Sequence, residues 1–248
     1  MNTPYIILAT NNKHKQQEFK HALNTEILTP NDLGILDFDP IECGETFEAN
    51  AMIKAEALYH ILQTHANIPQ HYIVIADDSG LCVEALQGLP GIFSARYAHM
   101  QNGNTECGNS SDADNREALK AALKEHGIWG SKAFFQCSIA YIIHDEAKQK
   151  NIQNVVSGQC HGIVAIKESG THGFGYDSMF YRDFSQDEIL ILDFTLPTNN
   201  TNNTNNKITI LESLQHSLAT LPLEEKTKIS HRGQAIQSLL KAFLAYFQ

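Results

Sequence analysis

Residues 72–80 read Tyr72-Ile73-Val74-Ile75-Ala76-Asp77-Asp78-Ser79-Gly80. The first five form a short apolar run rich in β-branched residues, which reads as a buried strand. The strand ends on two adjacent carboxylates, and Ser79-Gly80 then offers a turn. Upstream, Tyr5-Ile6-Ile7-Leu8-Ala9 is a second run of the same kind. A polar turn, Thr10 to His14, follows it, and then a helical pattern to Leu23. Between the two strands, Phe47, Ala51, Ala55, Leu58 and Leu62 recur near the helical period and predict an amphipathic helix over 46–62. Downstream, Asn115–Glu125 reads as a helix and Phe134–Ile143 as a long apolar strand. Val155–Ile166 reads as more strand, broken at Gly162. A last helix begins near Ser230, a plausible N-cap, with Ala235, Ile236, Leu239, Leu240 and Phe243 on its inner face. Strands and helices interleave, so the expected class is α/β with a mixed sheet.

Bulk properties narrow the function. The chain has 248 residues, 42% hydrophobic and 19% charged, an ordinary globular balance. A formal net charge of -10 argues against broad binding to nucleic acid or an anionic lipid surface, both of which need a basic face. It permits a small anionic substrate, provided that a few cations are placed locally. Cys43, Cys82, Cys107, Cys137 and Cys160 are odd in number, scattered and without a C-x-x-C pair, as expected of reduced thiols. No basic segment with an apolar core opens the chain, and no apolar run approaches membrane-spanning length. A cytoplasmic protein is therefore expected. The tract 198–206, all Asn and Thr, has nothing to bury and reads as a flexible insertion. Gln101 to Asp114, rich in Asn, Ser and Gly, reads as a second loop.

Five short motifs could carry chemistry. Thr10-Asn11-Asn12-Lys13-His14-Lys15 lies between a strand and a helix, where backbone N–H groups and the helix's positive end can meet a phosphate. A solvated helix start would look the same, and neither a Walker A loop nor a G-x-G-x-x-G pattern is present. Asp77-Asp78 at a strand end suits a hard cation such as Mg²⁺, which commonly takes one or two carboxylates and substrate phosphates. An acidic turn is the rival reading. Glu42-Cys43-Gly44-Glu45-Thr46-Phe47 leads into the helix that carries Asn50 and Lys54. There Glu42 could be a second metal ligand and Lys54 a phosphate contact, whereas Glu45 and Glu48 suit a helix N-terminus. In Gly173-Phe174-Gly175-Tyr176-Asp177, Phe174 or Tyr176 could stack on a base and Asp177 accept from its edge. The alternative is a structural turn with a core aromatic. Finally, Lys226 precedes Ser230-His231-Arg232-Gly233, where Arg and His could donate to a base carbonyl or to phosphate. A solvated cap competes with that reading.

The ordered set T-x-N-x-x-K, E-x-G-x-T-F-x-x-N-A-x-x-K-A, A-D-D-S-G-L, G-L-P-G-I-x-S-A-R-Y, G-F-G-Y-D and E-E-K-x-x-I-S-H-R-G-Q-A resembles the inosine triphosphate pyrophosphatase family, from Ile6 to the last helix. The resemblance implies an elongated α/β fold with flanking helices. Residues 1–248 would form one domain of two lobes around a central cleft, usually assembled as a homodimer. It implies Mg²⁺-dependent hydrolysis of non-standard purine nucleoside triphosphates (ITP, dITP, XTP, dXTP) to the monophosphate and pyrophosphate, which cleanses the nucleotide pool. Thr10 to Lys15 look like the phosphate-binding turn, Asp78 like the metal ligand and proton acceptor, Glu42 like a second ligand and Ser79 like a substrate contact. Lys15 and Lys54 would stabilise the leaving pyrophosphate. Phe174 to Asp177, Lys226, His231 and Arg232 match the segments that hold purine and sugar. The sequence departs from the family pattern at Asn11, Lys13, His14 and Glu45 and in the Asn/Thr tract. A binding-only nucleotide sensor would not need Asp78 and Lys15. An enzyme for modified pyrimidine triphosphates would not need the segments at 173–177 and 230–233.

Overall fold

The computed structural model describes residues 4–65, 68–101, 103, 108–145, 151–182, 192–196 and 214–247. In chain order the main elements are β1 (Tyr5–Leu8), α1 (Lys13–Leu23), β2 (Ile27–Leu28), α2 (Phe47–Thr64), β3 (His71–Val83), α3 (Tyr97–Gln101), α4 (Asp112–Glu125), β4 (Gly130–Asp145), β5 (Ile152–Ala165), β6 (Phe180–Tyr181), α5 (Leu223–Ile229) and α6 (His231–Phe247). The strands form one sheet in the order β2-β1-β3-β4-β5-β6. β1 runs parallel to β2 and β3, whereas β5 and β6 are antiparallel, so the sheet is mixed and the class is α/β.

The chain divides into two compact units. The first holds Met1–Ser79, Gln136–Gln159 and Ile229–Gln248. Its two cores follow from the two-residue period of β3. Tyr72, Val74 and Ala76 face α2, where Ala51, Ala55, Leu58, Tyr59 and Leu62 are buried. Ile73 and Ile75 face the other way, onto Phe19 of α1 and Ala235, Ile236, Leu239 and Phe243 of α6. The helices start where the sequence places polar caps. Thr46 accepts from the Ala49 N–H (3.1 Å), and Ser230 accepts from the Gly233 N–H (3.1 Å).

The second unit holds Gly80–Phe135 and Cys160–Lys228. It gathers Trp129, Ile163, Ala165, Tyr181 and Leu214 into a core of its own. Asn115 ties α4 to the segment before it, accepting from the Ala98 N–H (2.9 Å) and donating to the Ala95 carbonyl (3.1 Å).

Three expectations change. β3 does not stop at Ala76 but runs to Val83, so Asp77 and Asp78 lie within a strand. β5 is unbroken at Gly162: a Cβ there would stand 2.3 Å from the Tyr181 carbonyl oxygen, so the glycine admits β6 rather than ending the strand. α4 begins at Asp112, capped by Ser111, and takes the last residues of the stretch read as a loop at 101–114. The insertion at 198–206 lies outside the described residues.

Candidate active site

The centre of the first unit is the pair Asp77-Asp78. Because neighbouring side chains on a strand point to opposite faces, the two carboxylates enter different surroundings. Asp78 faces α2. There Lys54 Nζ lies 3.2 Å from its Oδ1 and 3.0 Å from Glu42 Oε1, and Asn50 Nδ2 donates to its Oδ2 (3.3 Å). Asn50 and Lys54 are one helical turn apart, so α2 presents both to the same carboxylate. Asn50 also accepts from the Gly44 N–H (2.8 Å), which fixes the segment carrying Glu42. A side chain at Gly44 would stand 2.7 Å from Asn50 Oδ1. Only glycine lets this loop lie against the start of the helix.

Asp77 faces α1 and α6. Its Oδ2 accepts from Arg232 NH2 (2.9 Å) and pairs with Lys15 Nζ (3.1 Å). Arg232 NH2 also donates to Ser79 Oγ (2.7 Å), and its NH1 pairs with Glu18. The partners crowd Oδ2, while Oδ1 is buried with no hydrogen-bond partner among the described residues.

These settings move the carboxylates in opposite directions. Burial by itself raises Asp77, but Lys15, Arg232 and Lys54 outweigh it and hold the group well below the usual carboxylate range. At Asp78 burial wins, and the carboxyl sits above its ordinary value despite the pull of Lys54 and Lys15. Lys54 is raised: burial opposes its charge, but Asp78, Glu42 and Asp77 more than compensate.

The turn at 10–15 is organised around its own backbone. Asn12 caps α1, accepting from the N–H groups of His14 (3.0 Å) and Lys15 (3.1 Å). Thr10 accepts from the Asn12 N–H (3.2 Å), and Asn11 donates to the Phe38 carbonyl (2.8 Å). Two of the N–H groups expected to meet phosphate are therefore taken by Asn12. Lys13 and His14 are exposed, and Lys15 points to Asp77.

Two carboxylate oxygens, from Glu42 and Asp78, converge on one ammonium group. Hard oxygens gathered about a positive charge fit Mg²⁺. Among the described residues no group of three or more His, Cys, Asp or Glu side chains is arranged to hold a metal ion. An ion at this pair therefore needs further oxygens from substrate or water, the usual situation for Mg²⁺.

In the second unit, Tyr176 is only 4% exposed and donates its hydroxyl to the Ser94 carbonyl (2.9 Å), so it belongs to the interior. Of the two aromatics considered for stacking, Phe174 is the one left half-buried. Asp177 and Lys226 are both buried and paired at 2.7 Å. Asp177 also accepts from the Phe174 N–H (2.9 Å), and Lys226 Nζ lies 5.1 Å from the centre of the Phe174 ring. Asp177 thus closes the turn that carries Phe174. Ser79 is half-buried within the Arg232 network, and His231 is buried at the start of α6. Arg232, 1% exposed, donates to Asp77 and Ser79 and pairs with Glu18.

Sequence reading passed over Glu18. The signal was there: three residues after Lys15, it shares a face of α1 with it.

The sequence pattern of the Ham1 family matches residues 6–192. A dITP/XTP pyrophosphatase from Sulfurovum sp. is 41% identical over 239 residues, covering 96% of this chain and 92% of the relative. One from Campylobacter jejuni is 32% identical over 234 residues, covering 94% and 93%. Among solved structures, the Staphylococcus aureus Ham1 protein aligns with a TM-score of 0.66 at 33% identity, covering 98% of this chain and all of that one.

Proposed function

The chain belongs to the Ham1 family, and from that membership we propose that it is a nucleoside-triphosphate pyrophosphatase that hydrolyses dITP, ITP, XTP and dXTP. It is a hydrolase of phosphoric anhydrides, and it cleanses the nucleotide pool of non-standard purines. The observation that carries the reading to this chain's own residues is the convergence of Glu42 and Asp78 on Lys54, next to a separately neutralised Asp77.

Glu42 and Asp78 would hold Mg²⁺. The ion, when bound, neutralises phosphate oxygens. Asp78, whose ionised form burial disfavours, accepts the proton of the attacking water. The water oxygen bonds to the α phosphorus, the bond from that phosphorus to the oxygen bridging it to the β phosphorus breaks, and pyrophosphate carries away the bonding pair. Lys15 and Lys54 balance its growing charge. Thr10 to His14 shape the phosphate end of the substrate's contacts. Phe174 offers the purine a stacking surface, braced by Lys226, Gly175, Tyr176 and Asp177. His231 and Arg232 are the donors to the 6-oxo group, and Arg232 also donates to Asp77 and Ser79. We extend the proposal to a cytoplasmic homodimer, on family resemblance. No helix among the described residues is long and apolar enough to cross a membrane.

The test is a substrate panel with separate detection of pyrophosphate and orthophosphate. With Mg²⁺, ITP, dITP and XTP should release pyrophosphate far faster than ATP or GTP, and a chelator should stop the reaction. Equal turnover of ATP, or orthophosphate as the first product, would overturn the reading. A monomeric mass by light scattering would remove the dimer alone.

A further inference from the structure

The loop Gly173-Phe174-Gly175 is poorly suited to hold an aromatic ring still. Gly173 and Gly175 have φ of +78° and +61°, a region that glycine enters freely and other residues rarely do. Fixing each such residue costs backbone entropy. Something must offset that cost if Phe174 is to wait in one place for a ligand.

The offset comes from α4. Asp112 Oδ2 accepts from the Gly175 N–H at 2.7 Å, and Arg116 NH1 donates to the Gly175 carbonyl at 3.0 Å. Both polar groups of one glycine are thus held by two side chains a single helical turn apart. Arg116 is itself braced: its Nε lies 2.9 Å from Glu168 Oε2, and Glu168 also pairs with Lys120 and accepts from Ser178 Oγ (2.7 Å). On the other flank of the ring, Asp177 holds the Phe174 N–H. Charge-assisted bonds thus fix the backbone on both sides of Phe174.

We infer that Asp112 and Arg116 are positioning residues for purine recognition, acting through Gly175 to pre-organise Phe174. The inference rests on the stacking role given above to Phe174. A positioned ring that meets the base equally in the ground and transition states affects KM and leaves kcat alone. A substrate without a base should not sense the clamp.

The test measures KM and kcat for ITP and for ribose 5-triphosphate, which lacks the base, in the parent, Arg116→Gln, Asp112→Asn, Phe174→Ala and Arg116→Gln/Phe174→Ala. Arg116→Gln should raise KM for ITP about tenfold, as for the loss of one charge-assisted hydrogen bond, with kcat within about twofold. Asp112→Asn, which keeps an acceptor oxygen, should raise it less. Kinetics on ribose 5-triphosphate should stay at parent values. In the Phe174→Ala background, Arg116→Gln should add nothing. Equal losses on both substrates, a fall in kcat with KM unchanged, or an undiminished effect without Phe174 would overturn the inference. A parent protein that releases no pyrophosphate from ITP would instead sink the reading beneath it. Thermal melting separates unfolding from the kinetic effect, and Asp112→Asn decides the case if Arg116→Gln fails to fold.

Discussion

Asp77 and Asp78 are consecutive residues of β3, yet one carboxylate is enclosed by Lys15 and Arg232 and the other by Lys54 and Asn50. The pleat of the strand separates them. Each carboxylate has cations of its own, so the repulsion expected between adjacent acids is neutralised on both sides of the sheet. The outcomes differ because the surroundings differ. Asp77 is stabilised as an ion, whereas burial disfavours the ionised form of Asp78.

Substitution should separate the two roles. Asp78→Asn leaves Lys54 paired with Glu42 and removes a charge that burial disfavours, so melting temperature should hold or rise. Pyrophosphate release should fall at least about a hundredfold, the lower range for loss of a general base. Asp77→Asn removes the carboxylate that Arg232 and Lys15 share. Breaking a buried pair in this way costs about 3–5 kcal/mol, so the larger effect should be on melting. A stable, inactive Asp77→Asn beside an active Asp78→Asn would reverse the assignment.

Gly44→Ala should act at a distance. Its Cβ would meet Asn50 Oδ1 at 2.7 Å and Ala49 Cβ at 2.8 Å, and relieving that overlap typically costs about 1–3 kcal/mol. Because Asn50 also donates to Asp78, turnover should drop along with stability. Parent activity in a destabilised Gly44→Ala would show that Asn50 does not orient the carboxylate.

Thiol labelling tests the burial pattern. Cys43 is exposed, whereas Cys82 and Cys137 are buried. Burial pushes the Cys82 thiol up to about 11, and burial together with the charge of Asp77 pushes Cys137 higher still. In a Cys107→Ser background at pH 8, Cys43 should label at once, and Cys82 and Cys137 only after unfolding. Rapid labelling of Cys137 would mean that the strand beside Asp77 opens.

The fold was legible wherever a local period or a cap decides it. The runs at 5–9 and 72–76, the helix read over 46–62, and Ser230 before the last helix all lie where pattern placed them. Strand ends were not legible. Nothing local says that β3 continues through two aspartates, because the cations that make this tolerable come from α1, α2 and α6. The same holds for Arg232: nothing local in the sequence says that Glu18 and Asp77 pair with its guanidinium. Tyr176 and Phe174 are equivalent in the sequence, and only the Ser94 carbonyl tells them apart. The α4 clamp left no trace either, since Asp112 and Arg116 are ordinary residues for an exposed helix.

The last prediction concerns Glu168, which braces that clamp. Burial by itself would raise its carboxyl. Bonds from Lys120 and Ser178 and the charge of Arg116 lower it below the ordinary 4.5, with Glu117 the other acid on Lys120. A carboxylate whose pKa is depressed by folding stabilises the native state above its unfolded value, and that contribution is lost as pH falls through the folded value. Glu168→Gln keeps the size and one acceptor oxygen but removes the charge. Its melting temperature should therefore lie below that of the parent at pH 7, and the gap should start to narrow as both are acidified below the ordinary 4.5 and vanish only below the lowered folded value, where the parent's native carboxylate is protonated too. Because the comparison is between two proteins at each pH, acid destabilisation shared by other carboxylates cancels. A gap that persists undiminished at pH 3 would assign the loss to packing rather than to charge, and would leave Arg116 braced by geometry alone.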